Sequence, residues 1–245
     1  MDYSQFLALK QEIGLFIVFL LVFLYDTFAS RKAQGALPVI ACVLMGIVTL
    51  WGFCPECKAD VTAFSGMYAS SATIAAIKNI LNVGALIVLI QSVKWANSEF
   101  VAVRRGEFYE LILLTLLGMY FMISSRHFLM FIIGLETASL PLCALVAFDK
   151  NRYESHEAAI KYVLTAVFSS AILLMGLSFV YGLTGTLYYD MMALTMRSNL
   201  GVMLVVGLAF VMAGFGFKLS LVPFHLWTAD VYQGAPTSVT SYLSV

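Results

Sequence analysis

The chain is 245 residues long, and 61% of its residues are hydrophobic whereas only 11% are charged. A soluble domain carries about 25% charged and about 45–50% apolar residues, so this composition excludes a soluble enzyme and a disordered segment. The 14 Lys and Arg residues balance the 14 Asp and Glu residues, and a chain without net charge is a poor match for nucleic-acid phosphate. We therefore predict a polytopic membrane protein that contacts the lipid bilayer.

Hydrophobic stretches long enough to cross a bilayer follow one another along the chain. A transmembrane helix needs about 20 predominantly apolar residues, and these runs are continuous rather than alternating, which favours helices over the strands of a β-barrel. We predict an all-α transmembrane bundle with seven full spans, the start of an eighth helix at Pro236, and no soluble domain. The predicted full spans cover residues 13–30, 36–53, 73–93, 108–125, 128–148, 157–182 and 200–222.

The last predicted helix is too short to cross a membrane. It opens at Pro236, and the sequence stops at Val245. A half-span would leave backbone polar groups without hydrogen-bond partners in lipid. We therefore expect this chain to be truncated at its C-terminal end.

Ionisable side chains also fall within the predicted spans, where such a group is costly and marks a functional site by default. They are Asp26, Lys78, Glu136, Lys161 and Lys218. Asp26 and Lys78 lie close to span ends, so we interpret them as interfacial side chains whose charges reach the lipid headgroups.

Glu136 lies deep in the fifth predicted span. It is about 12 Å from the start of that span, and a carboxylate cannot reach water over this distance, so it must face the interior of the bundle. Ser139 and Cys143 share its helix face, and Pro141 removes a backbone hydrogen bond to the carbonyl of Thr137 beside it. Glu136 is thus either a proton-carrying group or one half of a structural ion pair.

Lys218 lies in a segment that is unusually rich in helix-weakening residues. Gly214 and Gly216 precede it, and Pro223 follows it. Gly and Pro interruptions of membrane helices indicate transport sites, so we predict a seventh helix that is broken near Lys218. A lysine in such surroundings can take up and release protons. His225, just beyond the proline, is suited to a proton relay or to a structural hydrogen bond.

Lys161 lies one turn into the sixth predicted span, with Glu157 at the favourable i−4 position for an ion pair. Thr165 and Ser169 continue the same helix face inward, and Ser170 is adjacent. The pattern fits a surface ion pair, and it equally fits a stripe of hydroxyl groups that passes protons along water. The hydroxyls are also suited to hydrogen bonds between helices.

Two cysteines, Cys54 and Cys57, form a C-x-x-C pair in the loop after the second span. Two cysteines are too few for a structural zinc site, and we assign no function to them. The sequence has no G-x-G-x-x-G after a strand, no G-K-[ST] and no cysteine spacing typical of iron–sulfur clusters. We therefore expect no cofactor in this chain, and the energy source for any transport to lie in other proteins.

Three segments of the sequence resemble a known family. They read FIIGLETASLPLCALVAF, HEAAIKYVLTAVFSSAILLMGLSFVYGLTGT and GFGFKLSLVPFHLWTADVYQGAPTSVT. They resemble the antiporter-like subunits of respiratory complex I. The string F-K-x-S-x-x-P-F-H-x-W-x-x-D-V-Y-x-G-A-P-T is similar to the subunit N branch of this family, which occurs in the bacterial proton-pumping NADH:quinone oxidoreductases. The resemblance is strongest from residue 108 onward.

The resemblance implies a division of the chain into two parts. Residues 1–107 would form three peripheral transmembrane helices, and residues 108–245 would form the first proton-translocation half, made of helices four to eight with the eighth incomplete. Glu136 matches the family's buried glutamate on the fifth helix. Lys161 matches the family's lysine on the sixth helix, and Lys218 matches the lysine on the broken seventh helix. His225 matches the histidine after the break.

The family also implies a function for the whole assembly. This chain would be a non-redox membrane subunit that moves protons, together with other membrane subunits of complex I, while quinone is reduced elsewhere. NADH, FMN, iron–sulfur clusters and quinone would be bound by partner subunits, and no nucleic acid is expected. Two alternatives remain open: a cation/proton antiporter subunit of the Mrp type, and a structural membrane subunit with inert ion pairs.

Loop charges predict how the chain is oriented in a bacterial inner membrane. Seven basic residues lie in or beside the loops after spans one, three and five, against five on the opposite side, and basic loops face the cytoplasm. The N-terminus should therefore be outside. A cysteine introduced at residues 149–155 should resist an impermeant thiol reagent in intact cells and react after permeabilisation. Labelling in intact cells would contradict this orientation.

Overall fold

The computed structural model describes residues 3–30, 33–54, 60–98, 101–198 and 201–245. Cys57 of the C-x-x-C pair lies outside these ranges, as does Leu200, the first residue of the seventh predicted span. Three basic residues used to predict the orientation are also outside them: Arg31, Lys32 and Lys58.

The described part of the chain folds mainly into α-helices. In chain order they are α1 (Lys10–Phe28), α2 (Leu37–Trp51), α3 (Ala72–Ala96), α4 (Arg105–Ile123), α5 (Phe128–Val146), α6 (Tyr153–Thr184), α7 (Tyr189–Ser198), α8 (Val202–Lys218), α9 (Leu226–Gly234) and α10 (Thr237–Leu243). Short 3-10 helices cover Tyr3–Leu9, Ala33–Ala36 and Ala102–Arg104.

Within the described ranges, 6 segments are long and apolar enough to cross a membrane. They are Lys10–Phe28, Ala33–Trp51, Ala72–Ala96, Ala102–Ile123, Phe128–Val146 and Tyr153–Thr184. These segments correspond to the first six predicted spans, so the prediction of a multi-pass helical membrane protein is confirmed. The start of a further helix was predicted at Pro236, and α10 begins one residue later.

The seventh predicted span takes a different form. α8 has only 17 residues and ends at Lys218, whereas a helix needs about 20 residues to cross the hydrocarbon core of a membrane. Residues 219–225 then form turns that contain a cis Val222–Pro223 peptide bond, and α9 begins at Leu226. In the described part of the chain, a shorter apolar helix followed by a second short helix thus replaces the predicted seventh full span.

A short β-hairpin, which the sequence did not predict, adds to the helical bundle. In the loop between α2 and α3, β1 (Val61–Ala63) pairs antiparallel with β2 (Tyr68–Ser70). Gly66, with a φ of 85°, adopts a left-handed conformation in the turn. Alternation of apolar and polar residues indicates a strand only over about four to eight residues. These strands have three residues each, so the hydropathy pattern did not reveal them.

α4 is the helix on which the bundle is centred. Phe108 and Ile112 on this helix are completely buried, and α1, α2, α3 and α5 pack around it. At Gly118 a Cβ atom would collide with the backbone of Gly134 and Ala138 on α5. Small residues allow membrane helices to approach this closely, so glycine at this position brings α5 against the core.

A buried ion pair joins α1 to α3. Nζ of Lys78 lies 2.5 Å from Oε1 of Glu12, and the Lys78 side chain is 0% exposed. Tyr68 on β2 donates a hydrogen bond of 3.0 Å to the same carboxylate, and Ser124 donates one of 3.3 Å. Burial and the charge of Glu12 raise the pKa of the Tyr68 phenol, so it stays protonated as a donor. The interpretation of Lys78 as interfacial is therefore wrong, whereas Asp26 does lie in the last turn of α1.

Removal of one member of this pair should destabilise the protein more than removal of both. Lys78→Met leaves the Glu12 carboxylate buried without its cation, which should lower the free energy of unfolding by about 3–5 kcal/mol. The double variant Glu12→Gln/Lys78→Met removes both charges and should recover much of that loss. Denaturant unfolding in detergent micelles, followed by circular dichroism, compares them. Equal losses in the single and double variants would contradict an electrostatic origin.

Candidate functional site

α5, α6 and α8 meet around the predicted intramembrane charges. α6 and α8 approach closely because Gly214 lies against the backbone of Leu173, and Gly176 lies against the carbonyl of Gly207. A side chain at either glycine would push the two helices apart. Because α8 ends at Lys218, this packing places the terminal lysine beside α5 and α6.

Glu136 and Lys218 form the centre of the site. Nζ of Lys218 is 3.7 Å from Oε1 of Glu136, which is too long for a hydrogen bond but close enough for a strong electrostatic attraction away from water. The Lys218 side chain is 13% exposed and the Glu136 side chain 35% exposed. Two residues that were identified separately as intramembrane charges are thus direct neighbours.

Serine hydroxyls share the Glu136 carboxylate with Lys218. Ser170 on α6 donates a hydrogen bond of 2.5 Å to Oε1 of Glu136, and Ser139 donates a longer one of 3.5 Å to Oε2. Nζ of Lys218 is buried and has no hydrogen-bond partner among the residues that the structure describes. The carboxylate therefore accepts hydrogen bonds from two hydroxyl groups, whereas the ammonium group of Lys218 is held near it by charge alone among the residues that the structure describes.

A small cavity adjoins Lys218. Its volume is about 30 Å³, and a buried water needs about 10–15 Å³ of such space, so the cavity has room for about two or three water molecules. The hydroxyls of Thr165 and Ser169 donate to backbone carbonyls of their own helix, and their oxygen atoms remain able to accept a hydrogen bond. The other lining residues are Tyr162, Ala166, Phe217 and Trp227.

Lys161 lies at the edge of the site rather than at its centre. Its Nζ is 2.8 Å from Oε1 of Glu157 and 2.6 Å from Oδ2 of Asp230, and its side chain is 42% exposed. The i,i+4 pair with Glu157 was one of the two predicted interpretations. Asp230 was missed as a partner because 69 residues separate it from Lys161, and helical spacing cannot reveal a contact between distant segments.

His225 lies on the surface next to the break between α8 and α9. It is the N-cap residue of α9, it is exposed, and its side chain makes no capping hydrogen bond. Nearby, Nε1 of Trp227 donates a hydrogen bond of 3.0 Å to the carbonyl oxygen of Phe217. The start of α9 is thus attached to the end of α8, and His225 is placed outside the Glu136–Lys218 pair.

Neither the cysteines nor the potential metal ligands form a second site within the described residues. Cys143, on the predicted face of Glu136, is buried, and Cys54 is exposed with a free thiol. Across residues 3–30, 33–54, 60–98, 101–198 and 201–245, no group of three or more His, Cys, Asp or Glu side chains is arranged to hold a metal ion.

Comparison with known proteins places this site in a recognised context. Residues 125–245 match the family described as NADH:quinone oxidoreductase/Mrp antiporter, TM. Along its whole length the chain is 51% identical to NADH-quinone oxidoreductase subunit N of Azobacteroides pseudotrichonymphae genomovar. CFP2 and 46% identical to the protein of the same name in Phocaeicola vulgatus. Each comparison covers 100% of this chain but 51% of the relative, so the chain spans about half the length of these curated relatives.

Two solved structures share the fold. A chain of respiratory complex I from Thermus thermophilus with bound aureothin matches with a TM-score of 0.77 and 28% identity, over 96% of this chain and 50% of that chain. A chain of the membrane-bound sulfane sulfur reductase, an archaeal respiratory membrane complex, matches with a TM-score of 0.75 and 24% identity, over 96% of this chain and 49% of that chain. The second likeness concerns the fold alone.

Proposed function

We propose that this chain translocates protons as part of a subunit N of NADH-quinone oxidoreductase, because residues 125–245 match the NADH:quinone oxidoreductase/Mrp antiporter transmembrane family and the whole chain is similar to such subunits. Quinone reduction in other subunits of complex I supplies the energy, and those subunits carry the redox cofactors. The observation that carries the proposal is the pairing of Lys218, whose Nζ atom is buried, with Glu136 at 3.7 Å.

The proposal divides the chain into a peripheral part and a transport part. Residues 1–107 form the three peripheral helices, and residues 108–245 form a proton-translocation half in which α8 and α9 are the two pieces of a broken seventh helix. The match of residues 125–245 to the transport family supports this division. The hydrogen bond from Trp227 to Phe217, which joins the two pieces across the break, supports it as well.

The proposed mechanism is electrostatic. While Glu136 is ionised, it holds Lys218 in the protonated state, because two charges about 4 Å apart attract each other by about 4 kcal/mol at an effective dielectric constant near 20. When a neighbouring subunit neutralises the carboxylate or draws it away, that attraction is lost and Lys218 releases its proton into the adjoining cavity. Ser170 donates a hydrogen bond of 2.5 Å to the carboxylate and so supports it while it is ionised.

Lys161 and His225 contribute at the exposed end of the same route. Both side chains lie near the break between α8 and α9, and both are accessible. In the proposed orientation, with the N-terminus outside the bacterial inner membrane, this end faces the cytoplasm. An Mrp-type cation/proton antiporter remains the second candidate because the family description includes it, but the whole-length relatives at 51% and 46% identity carry the oxidoreductase name.

Loss of the Glu136 charge should stop pumping. In the full-length subunit assembled in its complex, Glu136→Ala should severely lower quinone-linked proton pumping, because the alanine cannot hold the proton on Lys218. Glu136→Asp keeps the charge and should lose less. Dye quenching in inverted membrane vesicles measures pumping, and Glu154→Ala on the exposed start of α6 is the control. Normal pumping by an assembled Glu136→Ala complex would contradict the proposal.

Lys218→Arg separates a proton carrier from a fixed counter-ion. Arginine preserves the positive charge beside Glu136 but cannot be deprotonated in proteins. If Lys218 must release its proton, Lys218→Arg should cripple pumping as severely as Lys218→Ala in the same vesicle assay, whereas Lys150→Arg on an exposed loop should have no effect. Full proton translocation by the Lys218→Arg complex would show that the lysine is a fixed counter-ion.

A further inference from the structure

α9 lies against the first turns of α6 at both of its ends. Near the start of α9, Trp227 packs on Tyr162 with ring centroids 5.2 Å apart. Near its end, Gly234 lies so close to the carbonyl oxygen of Glu154 that an added Cβ atom would be only 2.5 Å from it. These two contacts bring α9 close to α6, so that side chains between them can form ion pairs from one helix to the other.

An ion pair links the two helices between these ends. Nζ of Lys161 on α6 lies 2.6 Å from Oδ2 of Asp230 on α9. The same Nζ lies 2.8 Å from Oε1 of Glu157, which is on α6 itself. The three side chains are half-exposed. Of these two ion pairs, therefore, only the one with Asp230 connects one helix to another.

The start of α9 is also attached to the segment that carries Lys218. Besides the hydrogen bond from Trp227 to the carbonyl of Phe217, the hydroxyls of Ser220 and Thr228 hydrogen-bond to each other across the break. Phe217 directly precedes Lys218 in the chain. A displacement of α9 away from α6 would therefore pull on the backbone that positions the lysine.

We infer that Asp230 is a positioning residue, whose ion pair with Lys161 latches α9 onto α6 and thereby holds Lys218 within reach of Glu136. This inference rests on the proposed function, and it defines the contribution of Lys161 as a charge that must be present rather than a proton that must be released. Half-exposed ion pairs contribute little to folding. Loss of the latch should therefore alter transport more than assembly.

Two carboxylates at nearly the same distance from one amine provide a matched comparison. Asp230→Asn cuts the link between helices, whereas Glu157→Gln removes an equally close carboxylate from within α6. In the full-length subunit assembled in its complex, we expect Asp230→Asn to lower quinone-linked proton pumping about two- to fivefold. Asp230→Glu should restore pumping, and Glu157→Gln should leave it at the wild-type rate.

Two results of this comparison would overturn the latch. Unchanged pumping by Asp230→Asn would show that the link has no role. Equal losses in Asp230→Asn and Glu157→Gln would show that the carboxylates act only by holding a charge on Lys161. Lys218→Arg in the same assay distinguishes failure of the latch from failure of the proposed function. Normal pumping by Lys218→Arg would contradict the proposed function itself. An inactive Lys218→Arg together with a fully active Asp230→Asn would contradict the latch alone.

A charge exchange tests whether Lys161 itself carries protons. Lys161→Glu/Asp230→Lys keeps an ion pair between α6 and α9 but moves the amine to the other helix. We expect this variant to recover most of the pumping that Asp230→Asn loses, and recovery would support the latch. Failure to recover would overturn it, because the amine would then be required on α6. If Asp230→Asn does not assemble, the exchange variant decides by the same criterion.

Discussion

A charged side chain among apolar helices is stable only when an opposite charge or a set of polar groups lies next to it, and two pairs of residues in this chain meet that requirement differently. Lys78 and Glu12 are in direct contact at 2.5 Å, with Tyr68 donating a further hydrogen bond to the carboxylate. Lys218 and Glu136 are 3.7 Å apart, and the lysine has no hydrogen bond within the described part of the chain. We call the Lys78–Glu12 pair closed, because its charges are in direct contact, and the Lys218–Glu136 pair open, because its charges are not.

The difference follows from how the two pairs are enclosed. The closed pair is surrounded by α1, α3, the β-hairpin and the end of α4, so neither charge can move without disturbing several elements. The open pair lies where α8 ends, and the backbone after Lys218 forms turns rather than a helix. A lysine at the end of a helix moves more easily than one in its middle, which suits an arrangement that has to change during transport.

Sequence patterns found what depends on short spacing and missed what depends on distant contacts. Hydropathy located the membrane helices because each is a continuous apolar run. Depth within a run identified Glu136 as unusual, and the neighbouring Gly and Pro residues identified Lys218. The i,i+4 spacing also suggested the neighbour of Lys161 on its own helix. Asp230 and Glu12, the other partners of buried or clustered lysines, lie more than one helix away in the chain, and only the packing of the helices brings them into contact.

The size of the cavity beside Lys218 limits which ions it can hold. Its volume of about 30 Å³ leaves space for about two or three water molecules. A sodium or potassium ion that carries its hydration shell needs more space than this, and the hydroxyls of Tyr162, Thr165 and Ser169 in the lining offer few oxygen ligands to replace the lost water. A proton needs no such space because it moves by exchange between hydrogen-bonded oxygen and nitrogen atoms. A cavity of this size can therefore receive a proton from Lys218 without holding a hydrated metal cation.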